Sequence, residues 1–263
     1  MKQSGLAYGV QWLRSLAFTV VIYAMMAVVG VLFLPYALLT RDGAMNTCKM
    51  YARLVIRLAR PMIGLRFEVR GTPPVTGCMI AAKHQSFMDV MFIYQLLPRP
   101  RFIMKRLLLW APVLGLFAYK AGCIPVDRGK KGRAIKDMLA RVKAGDAAPG
   151  QLCIYPQGTR VGPGQIAPYK KGTAALYADL GQPVVPVATN IGVFWPKRGI
   201  YRRPGTAVFQ FLDPIPPGVP LRQFLTVLEE AIEPASDTLA REAGLAIPTR
   251  PVVVMPDEDG APV

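Results

Sequence analysis

The chain has 263 residues, room for one α/β domain with a small appendage. Hydrophobic residues make up 52% and charged residues only 18%, yet Lys and Arg outnumber Asp and Glu by 32 to 16, for a formal net charge of +16. Such apolarity argues against a soluble nucleic-acid binder, whereas the charge by itself suits the phosphates of RNA, DNA or an anionic lipid surface equally, because all three attract cations through the same long-range field.

The first element is the uncharged run LAFTVVIYAMMAVVGVLFLPYALL at 16–39, longer than the roughly 20 apolar residues a bilayer core requires. It predicts a membrane helix, either a span or a re-entrant hairpin for which Gly30 and Pro35 supply the bend. A cleaved signal peptide fits poorly, since the run is too long and no small-residue cleavage site follows it. Lys2 and Arg14 precede it, while Arg41, Lys49, Arg53, Arg57, Arg60, Arg66 and Arg70 follow, so the positive-inside tendency puts the bulk of the chain in the cytoplasm. Residues 45–65 read as an amphipathic helix, with Met50, Leu54, Leu58 and Met62 near one face and Lys49, Arg53, Arg57 and Arg60 elsewhere. Two placements fit: flat on anionic headgroups, or packed on the domain.

From Arg66 onward, strands alternate with helices. Strands are predicted at 66–71, 78–82, 102–104, 151–155, 184–188 and 207–212, and helices at 87–97, 132–144, 173–180 and 221–239. That alternation implies an α/β fold: a mostly parallel central sheet flanked by helices, behind an N-terminal hydrophobic helical membrane anchor. The expected organisation is 1–65 anchoring helices, 66–247 the α/β domain, and 248–263 a loose tail with Pro248, Pro251, Pro256 and the acidic Asp257, Glu258 and Asp259.

Cys48, Cys78, Cys123 and Cys153 stand far apart without a CxxC pair, and His84 is the only histidine, so the usual zinc and haem ligand sets cannot be assembled. The cysteines read as buried free thiols in a reducing compartment. His84 lies just past the apolar CMIAA strand, in His84-Gln-Ser-Phe-Met-Asp89, with Ser86 a candidate N-cap for the following helix. On one continuous helix a five-residue spacing would set the two side chains about 140° apart, so a shared role requires the histidine to sit in the turn. There Asp89 reaches back to one ring nitrogen, leaving the other to take a proton from a hydroxyl; an unperturbed pKa of about 6.5 suits that work. A histidine satisfying only local hydrogen bonds is the competing reading.

Gly122-Cys-Ile-Pro-Val-Asp127-Arg128-Gly129, with Lys130, Lys131 and Arg133 behind it, offers a cationic loop where Arg128 grips phosphate with two donors, or a solvated basic run. Tyr155-Pro-Gln157-Gly158-Thr159-Arg160 follows another apolar strand and brings a flexible residue, a hydroxyl and a guanidinium together, the parts of an oxyanion clamp. Val185-Pro186-Val187-Ala188-Thr189-Asn190 taken alone reads as core.

In this order, the four clusters resemble the glycerolipid acyltransferase superfamily, and most closely its bacterial 1-acyl-glycerol-3-phosphate acyltransferases. His84 and Asp89 match the H-x4-D box; Gly122, Ile124, Asp127 and Arg128 the G-x-[IFV]-x-x-D-R box; Pro156, Gly158, Thr159 and Arg160 the P-E-G-T-R box; Val185, Pro186 and Val187 the V-P-V box. The resemblance implies transfer of an acyl group from acyl-CoA or acyl carrier protein to lysophosphatidic acid. His84 would be general base, oriented by Asp89, with no acyl-enzyme, metal or cofactor. It assigns the acceptor's phosphate to Arg128 and Arg160, with Gly158, Thr159 and Gln157 also in the substrate site, and implies a bacterial inner-membrane enzyme facing the cytoplasm. Its partners are then the lysophospholipid, the thioester donor and anionic membrane lipid, not nucleic acid. Twelve basic residues between Arg99 and Lys143 against Asp127 and Asp137 suit an anionic lipid surface. Gln157 stands where the family has glutamate, so no carboxylate chemistry is available at that position. Two alternatives stay open: another lysolipid acceptor, such as a lyso-aminolipid, and a non-catalytic, membrane-anchored binder of anionic ligands.

Overall fold

The computed structural model describes residues 5–127, 136, 139–140, 150–247 and the backbone of 252–253. Three helices lead: α1 (Gly5–Leu32), α2 (Leu34–Leu39) and α3 (Gly43–Ile63). α1 starts ahead of the expected Leu16 because its polar residues have work on the body of the protein. Gln11 donates to the carbonyls of Ile63 and Arg202 (3.0 and 2.8 Å), and Arg14 to those of Met62 and Pro61 (2.7 and 3.0 Å). Together they satisfy carbonyls that the C-terminal end of α3 leaves open. The apolar run breaks at Phe33, and Pro35 sits in the first turn of α2, where its missing N–H costs nothing.

α1 is long and apolar enough to cross a membrane, and one stripe of it, Gln11, Ser15, Phe18, Ile22 and Gly30, is buried. At Gly30 a Cβ would collide with Val113, so only glycine permits the approach. The opposite face leaves Leu6, Leu13, Val20, Val28 and Leu32 exposed, an apolar surface suited to lipid. Of the two placements for the amphipathic helix, packing on the domain is observed: α3 lies against α1 and α4 and buries Thr47, Ala52, Val55, Ala59 and Ile63, with Arg53, Arg57 and Arg60 exposed. Its buried face is built of small residues that allow close approach; Met50, Leu54, Leu58 and Met62 are only half-buried.

The strands are β1 (Leu65–Arg70), β2 (Cys78–Ala82), β3 (Pro100–Lys105), β4 (Ile124–Val126), β5 (Gln151–Ile154), β6 (Gln165–Ile166), β7 (Val184–Thr189), β8 (Gly205–Phe211) and β9 (Val252–Val253). The later helices are α4 (Met88–Leu96), α5 (Leu114–Lys120), α6 (Lys171–Leu180), the single turn α7 (Ile191–Phe194) and α8 (Leu221–Glu242). Seven strands form one sheet in the order β1-β8-β7-β2-β5-β3-β4, parallel throughout except at β7 and β8. Residues 190–204 join β7 to β8 with a single helical turn and loop, and the chain returns antiparallel. β4 was not anticipated, since three residues carry no periodicity of their own. β6 pairs with β9 inside the segment expected to be a loose tail. The helix expected at 132–144 lies, but for 136, 139 and 140, outside the described residues.

Alternation along β2 divides the core. Ile80 and Ala82 join Phe92, Val187, Phe209, Leu65, Phe18 and Val55; Met79 and Ala81 join Leu176, Phe224, Leu228 and Ile232. The next two residues keep the alternation, Lys83 reaching α8 and His84 reaching α4.

Candidate active site

β2 is the middle strand of the seven, paired in parallel with β5 on one side and β7 on the other. Its C-terminal end therefore opens between two neighbouring strand ends, a common place for a site in an open α/β sheet. His84 leaves β2 there, and its Nδ1 lies 2.8 Å from Asp89 Oδ2. The same oxygen accepts the backbone N–H of Gln85 (2.7 Å) and of Ser86 (2.8 Å). Asp89 thus pins the turn that leads into α4 and orients the imidazole with one atom, the histidine sitting in the turn as the spacing demanded. Ser86 was the expected N-cap; the cap position falls at Phe87, and Ser86 Oγ only accepts a 3.3 Å bond from Met88 N. Asp89 is fully buried, His84 partly open, with its side chain 18% exposed. Asp89 Oδ1 has no hydrogen-bond partner among the described residues.

The third cluster arrives from β5. Val161 N donates to His84 O at 2.7 Å, which ties this loop to the histidine turn. Tyr155, the last residue before the Pro-Gln-Gly-Thr-Arg stretch, stacks on the His84 ring with centroids 4.0 Å apart and 17° between planes. Burial, then the Asp89 charge, pushes its phenol well above the usual tyrosine value, so the platform stays neutral. Sequence reasoning quoted Tyr155 but gave it no role; adjacency of β2 and β5 was the missing information. Gly158 turns the chain at φ +71°, its N–H donating to Tyr155 O at 2.9 Å, a conformation costly for any residue with a Cβ. Thr159 and Arg160 follow, both half-buried, with Arg160 donating to Lys197 O at 3.3 Å. Gln157 does not face the opening: it is buried and donates to Glu233 Oε1 (3.2 Å) and Ala167 O (3.5 Å).

The second cluster runs through β4 to Asp127, just past the strand and exposed; Arg128 lies outside the described residues. β4 is separated from β2 by β5 and β3, three strand spacings or roughly 14 Å. The fourth cluster is core: β7 is buried throughout, and Asn190 spends its side chain on Leu239 O (2.9 Å) and Val208 N (2.8 Å).

Residues 66–190 match the family model described as Acyltransferase. The chain is 33% identical over 208 residues to the 1-acyl-sn-glycerol-3-phosphate acyltransferase of Pseudomonas aeruginosa, covering 75% of this chain and 78% of that protein. It is 31% identical over 169 residues to the human 1-acyl-sn-glycerol-3-phosphate acyltransferase alpha, 62% of this chain and 60% of the human one. The crystal structure of the 1-acyl-sn-glycerophosphate (LPA) acyltransferase PlsC from Thermotoga maritima superposes with a TM-score of 0.70 at 18% identity, over 87% of this chain and 97% of that one, and so shares the fold. With the His-Asp pair and the Gly-Thr-Arg turn side by side at the mouth of a matching sheet, the chain belongs to the acyltransferase family.

Proposed function

We propose that the protein acylates lysophosphatidic acid to phosphatidic acid, using acyl-CoA or acyl carrier protein as donor, on the cytoplasmic face of a bacterial inner membrane. The observation that carries this is the His84 Nδ1 to Asp89 Oδ2 contact at 2.8 Å. With Nδ1 held by a carboxylate, Nε2 takes the proton of the acceptor hydroxyl as the oxygen attacks the thioester carbonyl. The tetrahedral intermediate collapses, the C–S bond breaks, and the imidazolium returns its proton to the leaving thiolate. Asp89 stabilises the imidazolium in between. No covalent intermediate on the protein is required. Arg160, on the turn tied to His84, and Arg128, after β4, are assigned to the acceptor's phosphate, with Gly158 and Thr159 shaping the turn. The names of the relatives support this acceptor, and the exposed apolar face of α1 supports work at a bilayer.

The test is an acyl-transfer assay on purified protein with a panel of lysolipids and both thioester donors. Lysophosphatidic acid is the expected best acceptor. His84→Ala abolishes transfer while the protein stays membrane-bound, and Arg128→Ala and Arg160→Ala raise acceptor KM about tenfold or more, the worth of a charged hydrogen bond. Retained transfer by His84→Ala sinks the mechanism. If neither arginine affects acceptor KM, the phosphate assignment fails and a lysolipid without phosphate, such as a lyso-aminolipid, becomes the acceptor.

A further inference from the structure

Directly before His84 stands a buried charge that the proposed reaction does not use. Lys83 is 2% exposed, and its ammonium donates to Glu233 Oε2 at 2.5 Å and to Gln165 O at 3.2 Å. Glu233, buried on α8, accepts at its other oxygen from the Tyr169 hydroxyl (2.9 Å) and from the Gln157 amide (3.2 Å). Burial and the Glu233 charge hold the Tyr169 phenol well above its usual value, so it remains a donor. Glu229, one turn back on α8, is the other carboxyl nearby, and it is half-buried.

A buried ammonium demands one carboxylate at this spot, because an unpaired buried charge is strongly destabilising. Glu233 is bonded to it directly, and position 157 stands behind Glu233, its side-chain nitrogen 3.2 Å from Glu233 Oε1. Two carboxylates at that separation would repel and one would have to take up a proton. An amide at 157 with a carboxylate at 233 satisfies every group at once, since the Gln157 NH2 donates to Glu233 Oε1 and Ala167 O. We propose that Glu233 is a positioning residue for the His84 turn: it supplies from α8 the carboxylate that anchors Lys83, the charge that the resembled family carries at position 157 having moved across the Gln157–Glu233 hydrogen bond. Lys83 N is bonded to Val187 O, and the His84 carbonyl to Val161 N, so a Lys83 pulled out of place carries the catalytic ring with it. The role of the turn in catalysis rests on the acyl-transfer reading; the relocated charge does not.

The test is a charge-swap cycle on the full chain: wild type, Glu233→Gln, Gln157→Glu, and the double variant that exchanges the two. Each is followed by thermal melting and by transfer from oleoyl-CoA to 1-oleoyl lysophosphatidic acid, measured well below its melting midpoint. Each single change lowers the midpoint and lowers kcat by about tenfold or more with acceptor KM unchanged; the exchange restores most of both losses. Rescue of kcat at fixed KM is what a remote packing role would not give. A double variant no better than the worse single one, or a Glu233→Gln protein with wild-type kcat and midpoint, overturns the proposal. Should Glu233→Gln not fold, a folded double variant supports the relocated charge and an unfolded one overturns it. If the wild type transfers no acyl group to any lysolipid, the acyl-transfer reading fails, and the melting cycle still decides where the charge lies.

Discussion

Replacing Asp89 by Asn isolates the electrostatic half of the proposed base. Oδ2 serves three donors, at 2.8 Å from His84 Nδ1, 2.7 Å from Gln85 N and 2.8 Å from Ser86 N, and an amide oxygen in its place still accepts all three. The turn is therefore kept and the charge is lost. A carboxylate and an imidazolium centred about 4 Å apart attract by about 4 kcal/mol at an effective dielectric of about 20. Water at the open edge of the His84 ring takes part of that, leaving about 3 kcal/mol in the transition state, so kcat falls about 100-fold, with 1000-fold the upper limit. The new NH2 takes the place of Oδ1, buried without a partner among the described residues, at a cost of about 1–3 kcal/mol and a fall of several degrees in Tm. The assay is steady-state release of free CoA from an acyl-CoA donor with lysophosphatidic acid, beside a melting curve. A folded Asp89→Asn enzyme whose kcat stays within tenfold of wild type, or whose loss falls in acceptor KM instead, would refute the assignment of Asp89 to the imidazolium.

Two further outcomes follow from the same geometry. Tyr155→Phe keeps the ring over His84 and removes a buried hydroxyl that has no partner among the described residues, so activity and stability stay near wild type; Tyr155→Leu removes the stack, worth about 0.5–1.5 kcal/mol, and lowers kcat by about two- to tenfold in the same assay. Burial raises the Cys48 thiol from 9.0 to about 12 and the Cys78 thiol from 9.0 to about 11, so unfolding releases protons at alkaline pH and stability falls as pH climbs from about 9 towards 12. Melting midpoints across that range check the slope, which Cys48→Ala flattens, and a thiol reagent at pH 8 leaves Cys48 and Cys78 unlabelled until denaturant is added.

Much of the site was legible because it is local. His84 and Asp89 are five residues apart, and geometry alone required a turn followed by a helix, which is what forms. Gly158 was read as a flexible residue, and the structure uses that freedom at φ +71°. Six of the strands were anticipated, since burial on both faces of a parallel sheet leaves continuous apolar runs such as CMIAA and VVPVAT. The amphipathic period of α3 was equally visible, but period alone does not say whether lipid or protein covers the apolar face.

The remainder depended on which elements become neighbours. Tyr155 acquires a role only because β5 pairs with β2, and Gln157 only because α8 delivers Glu233 from 76 residues away. Placing a lone antiparallel pair in an otherwise parallel sheet likewise needed the course of residues 190–204 between β7 and β8 to be seen in space. By itself the sequence determined the longer strands and helices, the apolar N-terminal helix and the histidine turn, each governed by periodicity or by contacts within a few residues. Only the tertiary structure decided that α1 and α3 pack on the domain, that a tyrosine backs the imidazole, and that the buried Lys83 is balanced from α8, because long-range charge pairing and close packing leave no periodic trace along the chain.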